Sequence, residues 1–369
     1  MTSDLPLSRP DTPGWISLAA LADGAAQAPL LDGTGQVTGP LLAVDLDAAA
    51  EPVLLDRARH AAHSCERILV GVRTREPPGE PWHDLLTALD VTLTPAGLGT
   101  LPRSCVALPD PAGQAGLLQA TAAASPQAAL VLTQVLRASE RLGVPPALDI
   151  ESFAYSTLLG GAEFRRWLDG RDRRPLPPPD PQPPVLLERT AGSLRITLNR
   201  PARRNAYSRE LRDALAGALL VAALDATIRR VTITGAGPSF CAGGDLDEFG
   251  TTPDPATAHF VRTRGGAGTL LHRIADRAEA LVHGACVGAG IELAAFAGRV
   301  IARPGTTFRL PEVGMGLIPG AGGTVSIPRR IGRHRTLYLA LSGSPLDTAT
   351  AAGWGLVDEV TGTLGSDLR

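Results

Sequence analysis

Residues 175 to 184 read Pro-Leu-Pro-Pro-Pro-Asp-Pro-Gln-Pro-Pro. Proline fixes φ and removes a backbone donor, so neither a helix nor an interior strand runs through such a stretch, which favours a stiff, extended spacer. The chain therefore reads as an N-terminal region (residues 1–174), a proline-rich linker (175–184) and a second folded region (185–369).

After the linker, strand and helix patterns alternate. Residues 185–188 and 194–198 read as strands, the second as Leu-Arg-Ile-Thr-Leu with period two. Residues 209–224 carry apolar side chains at helical spacing, 230–234 form a β-branched strand, and 281–283 a short apolar one. Residues 290–297 read as a helix, 300–302 and 306–310 as strands, and 333–341 as a helix. Before the linker, 41–46, 68–72, 91–94 and 105–108 read as strands, with helices over 54–66, 113–140 and 150–168. This rhythm predicts an α/β fold.

Composition excludes several classes of function. The net charge is −2 with scattered charges, which predicts no nucleic-acid partner. No apolar run approaches the ~20 residues of a membrane helix. The N-terminus lacks the layout of a secretion signal, and the four cysteines (65, 105, 241, 286) form neither a CxxC pair nor a metal spacing. A cytoplasmic protein without a metal is expected. All 35 basic residues are arginine, so an anionic ligand must be met by guanidinium or backbone N–H groups.

The chemistry concentrates at two glutamates. Glu292 lies in Gly288-Ala289-Gly290-Ile291-Glu292-Leu293, and Glu312 in Leu310-Pro311-Glu312-Val313-Gly314, with Pro319-Gly320-Ala321-Gly322-Gly323 following. Two carboxylates on tightly turned backbone can hold one water between them and exchange protons with a carbon skeleton. Taken singly, Glu292 could instead complement a helix dipole, and Glu312 could be an exposed turn residue.

Five segments resemble signatures of the crotonase (enoyl-CoA hydratase/isomerase) superfamily, in the family's order. They are Asn199-Arg200-Pro201-Ala202-Arg203-Arg204-Asn205-Ala206, Ser239-Phe240-Cys241-Ala242-Gly243-Gly244-Asp245-Leu246, and His283 through Leu293. Pro311 through Thr324 and Gly355-Leu356-Val357-Asp358-Glu359-Val360 complete the series. The resemblance implies a crotonase-like ββα-superhelix (spiral) core and a hydro-lyase, an enoyl-CoA hydratase. Glu292 and Glu312 would be catalytic, the N–H groups of Gly244 and Ala289 would form an oxyanion hole, and Gly320 would position water. Arg200, Arg203, Arg204 and Ala242 would meet coenzyme A, which is part of the substrate, so no separate cofactor is implied. Ala289 stands where the family usually has glycine. An enoyl-CoA isomerase, or a non-catalytic acyl-CoA-binding scaffold, is the alternative reading. The family's habit of assembly implies a homo-oligomer, trimer or hexamer.

Crotonases continue beyond that last motif into a helical tail, whereas here residues 361–369 follow it. Residues 123–168 resemble such a tail. We therefore expect residues ~113–170 to dock on the core in its place, with the first ~110 residues a degenerate crotonase-like half or else an unrelated partner-binding domain.

Overall fold

In the computed structural model, which describes residues 12–75, 80–97, 101–172, 178 and 180–361, the chain forms two compact units. One comprises Met1–Thr133 with Arg333–Ser342, the other Gln134–Gly332 with Gly343–Arg369. The division falls within the Pro126–Ser139 helix, whereas the proline pattern set a boundary at 175–184. Of that stretch, 175–177 and 179 lie outside the described residues, as do 362–369 of the expected short C-terminal end.

The first unit is built on five parallel strands that neighbour one another in chain order: β1 (Trp15–Ser17), β2 (Leu41–Asp45), β3 (Ile68–Val72), β4 (Val91–Pro95) and β5 (Cys105–Leu108). Every residue of β3 is buried, as a parallel strand covered on both faces requires. Gly71 sits where a Cβ would come within 2.9 Å of Leu46, Leu89 and Thr92, so glycine is the residue that fits. The Pro52–His63 helix starts on proline and buries Leu55, Ala58, Ala61 and Ala62 along one stripe.

The second unit opens on an antiparallel pair, β6 (Val185–Thr190) and β7 (Ser193–Leu198), with Val185 opposite Leu198. The Arg209–Leu224 helix follows. Ser208 caps it, accepting from the N–H of Leu211 at 3.2 Å, and the helix buries Leu211, Leu215, Ala218, Leu219 and Ala222. From β7 the sheet grows in parallel through β8 (Arg230–Gly235), β9 (Ala278–Val282), β11 (Arg299–Ala302) and β13 (Glu359–Val360). A smaller parallel pair joins β10 (Ala285–Val287) to β12 (Thr307–Arg309). Two turns of the chain thus place one strand in the large sheet and the next in the small one: β9 then β10, and β11 then β12. The first of them ends in the Ala289–Ala294 helix and the second leads into the Gly323–Ile331 helix. This is the ββα spiral that the motifs implied.

Several helices escaped the sequence reading. Gly323–Ile331 begins on glycine and contains Pro328, both signals against a helix, and Pro255–Gly265 has no clear apolar stripe. Leu18–Ala22, His83–Ala88, Gly268–Arg273 and Thr348–Trp354 are too short to show a period.

Candidate active site

The second unit contains a cavity of ≈ 230 Å³ to which Gly244, Ala289, Glu292, Glu312 and Gly320 all contribute. Backbone pairing brings the first two together. Cys241 pairs in parallel with Cys286: its N–H donates to Ala285 O at 3.2 Å, and Val287 N–H donates back to Cys241 O at 3.0 Å. Three residues beyond this bridge come Gly244 on one segment and Ala289 on the other. The approach is close, since a Cβ on Gly290 would lie 2.4 Å from Cys241 O.

Neither of these N–H groups donates to an acceptor among the described residues. Tyr207 pairs beside Gly244 through Gly243 O and the N–H of Asp245, which leaves the Gly244 N–H unused. Ala289 is the first residue of its helix, so its N–H has no intrahelical acceptor. Helical φ suits an L residue, which explains how alanine stands at 289. The left-handed position is the preceding Gly288, at φ 48° and ψ −122°.

Glu292 is buried on the same helix. Its Oε2 accepts from the N–H of Ala321 at 2.6 Å and of Gly323 at 2.9 Å. Burial, then the neighbouring Glu312 and Glu151, push its pKa well above the usual carboxylate range. Glu312 begins the Glu312–Met315 turn and is also buried, and its Oε2 has no hydrogen-bond partner among the described residues. Burial is the main cause that pushes its pKa up to about 8. Gly320 lies under the Tyr155 ring, where a Cβ would come within 2.4 Å of the ring carbons.

Sequence reasoning assigned no role to a third carboxylate in this cavity. Glu151 lies on the Val144–Leu159 helix and is buried. Its Oε1 accepts from Gly322 N–H at 2.8 Å, and its Oε2 accepts from the N–H and Oγ1 of Thr324 at 2.8 and 2.7 Å. Burial pushes its pKa up to about 7, against the pull of those three donors and of Arg262. The Arg262 guanidinium stacks 4.4 Å from the Tyr155 ring centroid and donates to Ser152 Oγ at 3.2 Å. Leu148, Glu151, Ser152 and Tyr155 share one helix face at i, i+3, i+4 and i+7, and all four border the cavity. A polar stripe in an apolar helix was the signal available in the sequence.

The neighbouring Ala162–Asp169 helix, in the same unit, packs behind Phe249, which borders the cavity. Phe164 and Trp167 pack with Phe249, and a Cβ on Gly244 would lie 2.9 Å from the Phe249 ring. Of the stretch expected to dock on the core, residues 134–170 fall in the core's unit and the Pro111–Ala124 helix in the other.

The residues expected to meet coenzyme A lie outside the cavity wall. Arg200 is buried and pairs with Glu210 at 2.9 Å. Arg203 bridges Asp245 and Asp247 at 2.5 and 2.7 Å. Arg204 is exposed in the left-handed region at φ 52°, and its carbonyl accepts from Ala242 N–H at 3.0 Å. Asp245 caps the turn after it by accepting from Asp247 N–H at 3.1 Å. His283 is tied to Gly237 O at 2.9 Å. Cys241 and Cys286 are buried free thiols, and burial pushes Cys241 up to about 12, far from a thiolate nucleophile at neutral pH. Among the described residues no cluster of His, Cys, Asp or Glu could hold a metal ion, and no helix is long and apolar enough to cross a membrane.

A family model described as enoyl-CoA hydratase/isomerase matches residues 188–364. The 1,2-epoxyphenylacetyl-CoA isomerase of Escherichia coli (strain K12) is 37% identical over 180 residues, covering 48% of this chain and 69% of that protein. The 2,3-dehydroadipyl-CoA hydratase of the same organism is 36% identical over 176 residues, 48% of this chain and 68% of the relative. The crystal structure of enoyl-CoA hydratase from Thermoplasma volcanium GSS1 aligns at 35% identity with a TM-score of 0.45, over 49% of this chain and 73% of that one.

Proposed function

The chain belongs to the enoyl-CoA hydratase/isomerase family, and from that premise we propose that it hydrates a 2-enoyl-CoA thioester. One observation carries the reading: Glu292 and Glu312 border the same cavity as two backbone N–H groups, of Gly244 and Ala289, that have no protein acceptor among the described residues.

The thioester oxygen sits against those two N–H groups, which stabilise negative charge as it develops there. Loss of one such donor costs about 3 kcal/mol. Water lies between the carboxyl groups, near Gly320. Its oxygen bonds to Cβ, its proton passes to Glu292, and the C=C electrons move toward the thioester to give an enolate. Cα then takes a proton from Glu312. This division of labour follows from hydrogen bonding. Burial and mutual repulsion leave one proton shared by the pair; two N–H donors oppose the effect of burial at Glu292, whereas Oε2 of Glu312 has no donor, so this mechanism places the shared proton on Glu312. Arg204, exposed and without an ion pair among the described residues, is the guanidinium left to meet a CoA phosphate; Arg200 and Arg203 are matched by carboxylates. A cytoplasmic homo-oligomer, trimer or hexamer, belongs to the same reading.

Isomerisation of a 3-enoyl-CoA uses the same amides and is the second reading, favoured by the family description, which spans hydratases and isomerases. Incubation with crotonyl-CoA and with 3-enoyl-CoAs separates the two. Hydration removes the conjugated-thioester absorbance and isomerisation creates it. No loss of absorbance with any 2-enoyl-CoA of a broad panel rules the hydratase out.

A further inference from the structure

We propose that Glu151 is a positioning residue that holds Glu292 in place opposite Glu312, acting through the turn at residues 321–324. The inference rests on the hydratase reading of the Glu292–Glu312 pair. Four successive backbone N–H groups are divided alternately between two carboxylates. Those of Ala321 and Gly323 donate to Glu292, and those of Gly322 and Thr324 donate to Glu151. Neither carboxylate can shift without dragging the turn, and the turn cannot shift without disturbing the other.

The turn also has no slack. Gly322 sits at φ 104°, and a Cβ on Gly323 would lie 2.6 Å from Cγ of Glu292. The side chain of Glu151 accepts from three donors, with Thr324 Oγ1 the third, so both of its oxygens are tied to the turn. The charged and titratable groups that act on Glu151 and the pair are Tyr155 on its own helix, Arg262 from the Pro255–Gly265 helix, Arg309 from β12, which opposes the rise at Glu312, and Glu292 and Glu312 themselves. Negative charge on Glu151 raises the pKa of both members of the pair.

The test compares the wild-type protein with Glu151→Gln, which keeps the size of the side chain but removes its charge and one acceptor. A fall in kcat of about ten- to a hundredfold is expected, with KM changed by less than about twofold. Both limbs of the pH–kcat profile should move to lower pH, a displacement that loss of packing alone does not produce. Wild-type kcat and an unmoved profile overturn the proposal. Should Glu151→Gln fail to fold, Thr324→Val removes a single donor to Glu151; reduced kcat at unchanged KM supports the proposal, and wild-type kcat overturns it. If the wild-type protein hydrates no enoyl-CoA, the functional reading fails separately. Positioning is then read from the carboxyl resonances of 13C-glutamate-labelled protein, and titration curves identical in wild type and the variant overturn it.

Discussion

A Cβ at Gly288 would lie 2.5 Å from Oε1 of Glu312, so the turn that presents the Ala289 N–H closes directly against the carboxyl across the cavity. At φ 48° and ψ −122°, this is backbone that L residues avoid. Gly288→Ala should therefore cost about 1–3 kcal/mol of stability from backbone strain, with a loss of kcat as Glu312 is displaced. Thermal melting and steady-state kinetics check both. Wild-type values for the two would show that the turn has more room than its geometry allows.

Glu292→Gln keeps the size of the side chain but cannot take a proton from water. If Glu292 is the general base, kcat/KM for hydration falls by about 10²–10⁴-fold while the melting temperature holds or rises, because a buried charge has been removed. Glu312→Gln should lose activity on a similar scale, since it cannot supply the Cα proton.

Activity should decline as pH rises through about 8, where Glu312 loses the proton that Cα needs. Stability follows the same sign. Glu151 and Glu312 have folded-state pKa values of about 7 and about 8, raised from an unfolded value of 4.5. Their protonated forms favour the folded state, so their contribution is full below pH 4.5 and is lost as pH rises through 7 and 8. Melting temperature should fall across that window, and Glu312→Gln should flatten the fall. An unchanged slope in that variant contradicts the assignment.

A fragment starting at residue 181 lacks the Val144–Leu159 and Ala162–Asp169 helices. It loses Leu148, Glu151 and Tyr155 from the cavity wall and leaves the N–H groups of Gly322 and Thr324 without their acceptor. We expect it to be poorly soluble and inactive. A soluble, fully active fragment shows that the upstream helices are dispensable to the site.

Much of this site was legible in the sequence because its parts are local. The glycines at 243, 244, 288 and 290 mark turns through their own conformational needs, and Glu292 and Glu312 lie within a few residues of such turns. The Arg209–Leu224 helix was read to the residue because Ser208 caps it and its apolar period is sustained. Glu151 was not assigned, since its partners lie 171 and 173 residues away and helical periodicity carries no record of them. Arg200 and Arg203 looked like phosphate ligands because a local basic run says nothing of the carboxylates of Glu210, Asp245 and Asp247 that fold onto them. The short Gly323–Ile331 helix was hidden by the glycines and the proline that shape its turn.

The most direct test follows the oxygen. Crotonyl-CoA is incubated in H2(18O) with wild-type protein, with Glu292→Gln and with Glu312→Gln, and the product is read by mass spectrometry. A single 18O in the 3-hydroxyacyl product of the wild type, with both variants reduced to background, is the predicted result. Incorporation at the wild-type rate in either variant contradicts a mechanism in which these two carboxyl groups share one water.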